Sequence, residues 1–112
     1  MSGALRIGNK RVGASEEFKP ELGEVIIDID RPNLLSNPFR NFSRAENIEL
    51  FDDYLKADLQ HNGMMSVELR RIAWLLFNDH DVILMCWCKP LTCHGDVVKR
   101  EIEKIVDEME SR

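Results

Sequence analysis

The sequence predicts a small single-domain α/β sandwich with a mostly parallel sheet and flanking helices. Val82-Ile83-Leu84-Met85-Cys86-Trp87 is a nearly continuous apolar run, the pattern of a central strand covered on both faces. Glu24 to Asp30 supplies another strand, and helical segments separate and follow the two, the alternation expected of an α/β domain. The chain has 112 residues, 44% hydrophobic and 31% charged. That fits one domain over residues 1–112 with a modest core, and leaves room for a homodimer.

Leu5 to Ile7 is a short first strand, followed by a polar stretch from Gly8 to Gly23 that reads as a loop or hairpin connection. In the next strand Val25-Ile26-Ile27 is β-branched, and Ile27 and Ile29 share a face. Arg31-Pro32 stops it, because proline has no N–H for the ladder. Asn33 to Asn41 is a loop, and within it Asn37-Pro38-Phe39 forms a turn with an aromatic free to pack or to stack on a ligand. Ser43-Arg44-Ala45-Glu46 is a capping box, opening a helix whose buried stripe is Ile48, Phe51, Leu55 and Leu59. Its acidic residues Glu49, Asp52, Asp53 and Asp58 read as a solvated face, and His61 as part of the helix stop. A second helix starts near Ser66, with Leu69, Ile72, Ala73 and Leu76 at helical spacing. Val98, Ile102, Ile105 and Met109 mark the last helix.

Fifteen basic and twenty acidic residues give a formal charge of −5, which argues against bulk nucleic-acid binding, since that draws on clustered Lys and Arg. A local basic pocket built from Lys10, Arg11, Arg31, Arg40 or Lys89 remains compatible with this balance. No apolar run reaches the roughly 20 residues that span a bilayer, and Met1 to Asn9 lacks a signal-peptide core. The expectation is a cytoplasmic protein. All three cysteines fall in one short segment, a poor basis for a disulfide framework.

The segment Cys86-Trp87-Cys88-Lys89-Pro90-Leu91-Thr92-Cys93-His94-Gly95-Asp96 carries the chemistry. With the strand continued through Cys88, Cys86 and Cys88 point one way and Trp87 the other. Pro90 forces a turn, and Cys93 to Asp96 opens the last helix. A helix amino terminus offers unpaired N–H groups that hold anions and lower a thiol pKa. Gly95 allows close backbone approach. Asp96 complements the helix dipole or acts as a base, and His94 carries a proton or braces the loop. Three readings follow. Cys93 or Cys88 works with His94 in a nucleotide-like ligand site; or Cys86, Cys88, Cys93 and His94 bind zinc as a Cys₃His set, with adjacent Cys93 and His94 an awkward pair; or the cysteines are buried small hydrophobes. Ligands in such sheets bind beyond the carboxyl ends of strands, so the 31–39 and 86–96 loops are expected to lie together.

Two motifs, C-W-C-x-P-x-x-C-H-G-D-V at Cys86 to Val97 and R-P-x(4)-N-P-F from Arg31 to Phe39, resemble an uncharacterised domain-of-unknown-function family common in bacteriophage genomes. Asn9-Lys10-Arg11 and Ile29-Asp30-Arg31 match further segments of its pattern. Asp30 and Ser36 replace usual glycines, which implies an altered site. The resemblance implies phage origin, a small α/β domain and a role at the motif residues, and carries no established reaction.

The expected function is a site for a phosphate- or ADP-ribose-bearing nucleotide, used in nucleotide processing or to sequester a host defence signal. Arg31 and the helix start hold phosphate, with Asn37, Lys89 and Gly95 on the ligand. Phe39 or Trp87 stacks, and Cys88, Cys93, His94 and Asp96 meet the recognised or reacting group. The alternative is a zinc-stabilised interaction module, zinc being the one cofactor these residues suggest.

Overall fold

The computed structural model describes residues 2–89 and 91–112. Three strands, β1 (Leu5–Asn9), β2 (Val25–Asp28) and β3 (Val82–Cys86), form an all-parallel sheet in the order β1-β3-β2. Three helices complete it: α1 (Arg44–Gln60), α2 (Met64–Phe77) and α3 (His94–Glu110). The apolar run at 82–86 is the middle strand, and all five of its residues are buried. Because β1 and β2 lie on opposite sides of β3, the 10–24 segment joins two edges and is not a hairpin. It contains one 3-10 turn at Glu16–Phe18.

Register divides the side chains cleanly. Leu5, Ile7 and Asn9 stand beside Val82, Leu84 and Cys86, with Val25 and Ile27 on the other flank. This face meets the helices, and Ile7, Val82, Leu84 and Cys86 join Phe51, Leu55, Leu69, Ile72, Val98 and Ile102 in one core. Ile83 and Met85 point to the opposite face yet are buried too. There the 10–24 connection provides cover. A Cβ at Gly8 would come within 2.5 Å of the Phe18 carbonyl oxygen, so only glycine admits the connection so close. Arg6 pins it by donating to the carbonyls of Glu17 and Lys19 and to the Glu24 carboxylate. The helices thus flank one face of the sheet, and an irregular segment closes the other.

Several boundaries differ from expectation. β1 runs on to Asn9, β2 stops at Asp28, and β3 ends at Cys86 short of Cys88. Helix α2 begins at Met64 because its cap comes from outside the local sequence: Asp58, near the end of α1, accepts from Ser66 N and Oγ, both at 2.7 Å. Asp58 is thus a structural acceptor, not part of a solvated face. Asp52 likewise leaves that face. Its carboxylate takes two bonds from the Arg100 guanidinium on α3, at 2.6 and 3.2 Å.

The Asp52–Arg100 link has a measurable pH signature. Hydrogen bonds from Arg100 hold the Asp52 carboxyl below the usual carboxylate range, against a smaller opposing effect of burial. A depressed folded-state pKa contributes stability above the unfolded value of about 4, and that stability is lost as pH falls through the folded value. Both groups are partly exposed, so the expected effect of Asp52→Asn is about 1 kcal/mol at pH 7. In urea melts the gap between wild type and variant should shrink as pH falls below the ordinary carboxylate range and through the depressed folded-state value; a gap unchanged at the lowest pH would show that the pair contributes no charge-dependent stability.

Candidate functional site

The carboxyl ends of β2 and β3 open onto a cavity of about 540 Å³. Its wall combines the two loops expected to meet, Asp30 to Arg40 and Cys86 to His94, with Arg44, Asn47 and Ile48 from the start of α1. Trp87, turned out just past the end of β3, donates from Nε1 to Asp30 Oδ2 at 2.8 Å and locks the loops together. Asp30 also accepts from Lys10 Nζ at 2.9 Å. Burial opposes its charge, but Lys10 and Trp87 outweigh that and hold the carboxyl below its ordinary value. Buried Asn9 bonds the Lys89 carbonyl and accepts from Arg11 N. Asn9 and Lys10 therefore act as scaffold for the loops.

The 31–44 wall is equally tied. Arg31 donates from Nε and Nη2 to the Asn37 carbonyl, at 3.0 and 2.7 Å. Asn37 Oδ1 accepts from Phe39 N, and its Nδ2 reaches the Asn47 carbonyl. Arg44 crosses to the Thr92 carbonyl at 3.2 Å. Arg31, Arg40 and Arg44 make no ion pair with a carboxylate among the described residues, whereas Lys10, Lys89 and Arg100 each do. Phe39 stands edge-on to Tyr54, and half of the Trp87 surface is open to solvent. The cavity is thus cationic on one side and aromatic at its margins.

The cysteines meet at its floor. All three are free thiols. Cys86 is the last residue of β3 and Cys93 the N-cap of α3, and their sulfurs lie 3.5 Å apart. Cys88 Sγ completes a group in which all three sulfurs lie within 4.8 Å of one another. Cys93 and Asp96 form a capping box: Gly95 N donates to Cys93 Sγ at 3.3 Å, and Cys93 N to Asp96 Oδ2 at 3.1 Å. The Cys86 and Cys93 thiols lie within hydrogen-bond distance, either able to donate to the other. Contact with Cys93 pulls the Cys86 thiol below its ordinary value, against the opposing effect of burial. Cys93 is pushed up, first by its contact with Cys86 and then by burial.

His94 is buried, with Nε2 2.9 Å from the Ile29 carbonyl and its ring edge-on to Phe51 at 5.0 Å. Facing a carbonyl, that nitrogen must carry the proton. Burial pushes the imidazole below its ordinary pKa, against the pull of the Ile29 and Leu35 carbonyls. His94 lines the cavity as a neutral brace between β2 and α3, and is not in the three-sulfur group. The Cys₃His set of the sequence reading is therefore three sulfurs without the histidine.

Among the other sequence-derived candidates, Arg31, Asn37, Phe39, Cys88 and Cys93 line the cavity. Lys89 and Asp96 pair with each other at 3.2 Å beside Arg6 and Lys99, outside it. Gly95 is buried against the sheet, where a Cβ would come 2.9 Å from Ile29 Cδ1 and 3.1 Å from Cys93 Sγ. Its small size lets α3 close on the sheet, not a ligand on the backbone. Pro90 lies outside the described residues. Sequence reasoning missed Arg44 and Asn47. A usable signal existed: no acidic residue occurs from Arg31 to Ala45, in a chain of net charge −5.

Fold and site define the class of protein, a small parallel α/β domain with a cysteine-floored crevice beyond its strand ends. The chain belongs to the family described as domain of unknown function (DUF4326), which matches residues 14–104. No curated protein and no solved structure matches it. Among the described residues, no helix is long and apolar enough to cross a membrane.

Proposed function

We propose that the cavity binds a nucleotide-type ligand bearing phosphate, such as a nucleoside phosphate or an ADP-ribose-like molecule. One observation carries the reading: Arg31, Arg40 and Arg44, none with a carboxylate partner among the described residues, converge on a cavity edged by Phe39 and Trp87. Guanidinium groups recognise phosphate oxygens with fixed, often bidentate geometry, and exposed aromatic faces stack on bases. The reading favours recognition over turnover. Asp96 is spent on the helix cap and Lys89, and neutral His94 on the Ile29 carbonyl, leaving the thiols as the reactive groups on the cavity floor. The proposed setting is a bacteriophage-encoded protein in the host cytoplasm that processes a nucleotide or sequesters a nucleotide defence signal.

The test is a thermal-shift panel of nucleoside mono-, di- and triphosphates, cyclic dinucleotides and ADP-ribose. At a hundred times its Kd a specific ligand stabilises by about 2.7 kcal/mol, on the order of 10 °C in Tm for a domain of this size. No shift from any phosphate-bearing ligand at millimolar concentration removes the reading. Ligand recovered unchanged identifies sequestration, and product identifies processing.

A further inference from the structure

We infer that Cys86, Cys88 and Cys93 form a three-thiolate site for a zinc ion, with His94 excluded and the fourth coordination position open to the cavity. The inference stands apart from the nucleotide reading, because it needs no phosphate-bearing ligand in the cavity.

The first ground is convergence. These residues are the one metal-competent group of His, Cys, Asp and Glu among the described residues. Zinc–sulfur bonds of about 2.3 Å in tetrahedral geometry place sulfurs about 3.8 Å apart. The Cys86–Cys93 separation of 3.5 Å is already close to that, and no sulfur pair exceeds 4.8 Å. Small side-chain rotations would close the site.

The second ground is the backbone. Thiolate ligands are steadied by N–H donors behind them, the outer-shell support that metal sites share. Gly95 N donates to Cys93 Sγ from the first turn of α3. The start of α3 thus aims a peptide dipole at one of the three sulfurs.

The third ground is charge. On binding, zinc displaces the remaining thiol protons to solvent, and three thiolates with Zn²⁺ carry a net −1. The cavity arginines offset that charge. Zinc is preferred on ligand type, since thiolates suit it and disfavour magnesium or calcium. His94 is excluded by distance: neither ring nitrogen lies within 4.8 Å of all three sulfurs, so the histidine is not in the group. Because all three cysteines line the cavity, the fourth ligand is water or the cavity's occupant.

The experiment titrates the reduced, chelator-treated full chain with zinc against a chromophoric competitor, and with cobalt as a spectroscopic probe. Expected are one ion per chain and a cobalt spectrum with thiolate charge-transfer and intense tetrahedral bands. Cys88→Ala should weaken zinc by about a hundredfold or more; this residue is only partly buried, so its variant tests the site even where Cys86→Ala or Cys93→Ala fails to fold. The ¹⁵N shifts of the His94 ring should not move on zinc binding. No stoichiometric complex, a Cys88→Ala variant that binds as tightly as wild type, or a His94 ring that shifts as a ligand would each overturn the inference.

Discussion

Replacing Phe51 by alanine should cost about 3–5 kcal/mol of unfolding free energy, the range for emptying a buried aromatic site. The ring is fully buried on α1 and touches two kinds of neighbour: the apolar core beside Leu55, and the His94 imidazole edge at 5.0 Å. Its loss therefore leaves a void between α1 and the start of α3 and removes the packing that keeps His94 on the Ile29 carbonyl. Domains of this size hold about 5–15 kcal/mol in all, so the variant should be marginally folded at 37 °C. Urea melts at 25 °C measure it, and Phe51→Leu should recover most of the loss. A cost below about 1 kcal/mol would mean that α1 is not an integral wall of the core.

The second large effect concerns binding. Arg40 and Arg44 are exposed at the cavity rim, so Arg40→Ala with Arg44→Ala should leave folding nearly untouched, within about 0.5 kcal/mol. Their loss from a phosphate site is expected to remove about 2–3 kcal/mol of affinity, discounting charged hydrogen bonds for exposure. That is a rise in Kd of about 30- to 150-fold, measured by calorimetry with whichever phosphate ligand gives the largest thermal shift. The wild-type Kd should also weaken as salt rises, and the double variant should show a shallower dependence. Equal affinities for the two proteins would place the ligand elsewhere.

Much of the fold was legible because burial writes itself into composition. Val82 to Cys86 reads as a central strand since both its faces are covered, and Ser43 with Glu46 marks the start of α1 through its capping chemistry. The order β1-β3-β2 was not legible: a period-two pattern says which face is buried, not which strand lies alongside. Nor was the cover over Ile83 and Met85, because it comes from an irregular segment held by Arg6 rather than by a periodic element. The Cys86 to His94 loop was located from residue type alone, yet the partition within it needed coordinates. Gly95, Lys89 and Asp96 look like ligand residues in a list, and become packing and capping residues once α3 is docked. Arg44 was hidden by its position inside a capping box, where helix chemistry already explained the segment.

The central strand is also the last of the three in sequence order. β1 and β2 both pair with β3 and not with each other, so a chain emerging from the ribosome has two strands and no ladder until residue 86 is free. Leu5 must then find Val82 across the two intervening helices and β2, a loop closure of the kind that slows folding. The three cysteines and the start of α3 arrive with or just after that strand. Sheet and crevice consequently assemble in one event, once β3 and the start of α3 have both emerged, and a nascent chain that stops short of them presents no site.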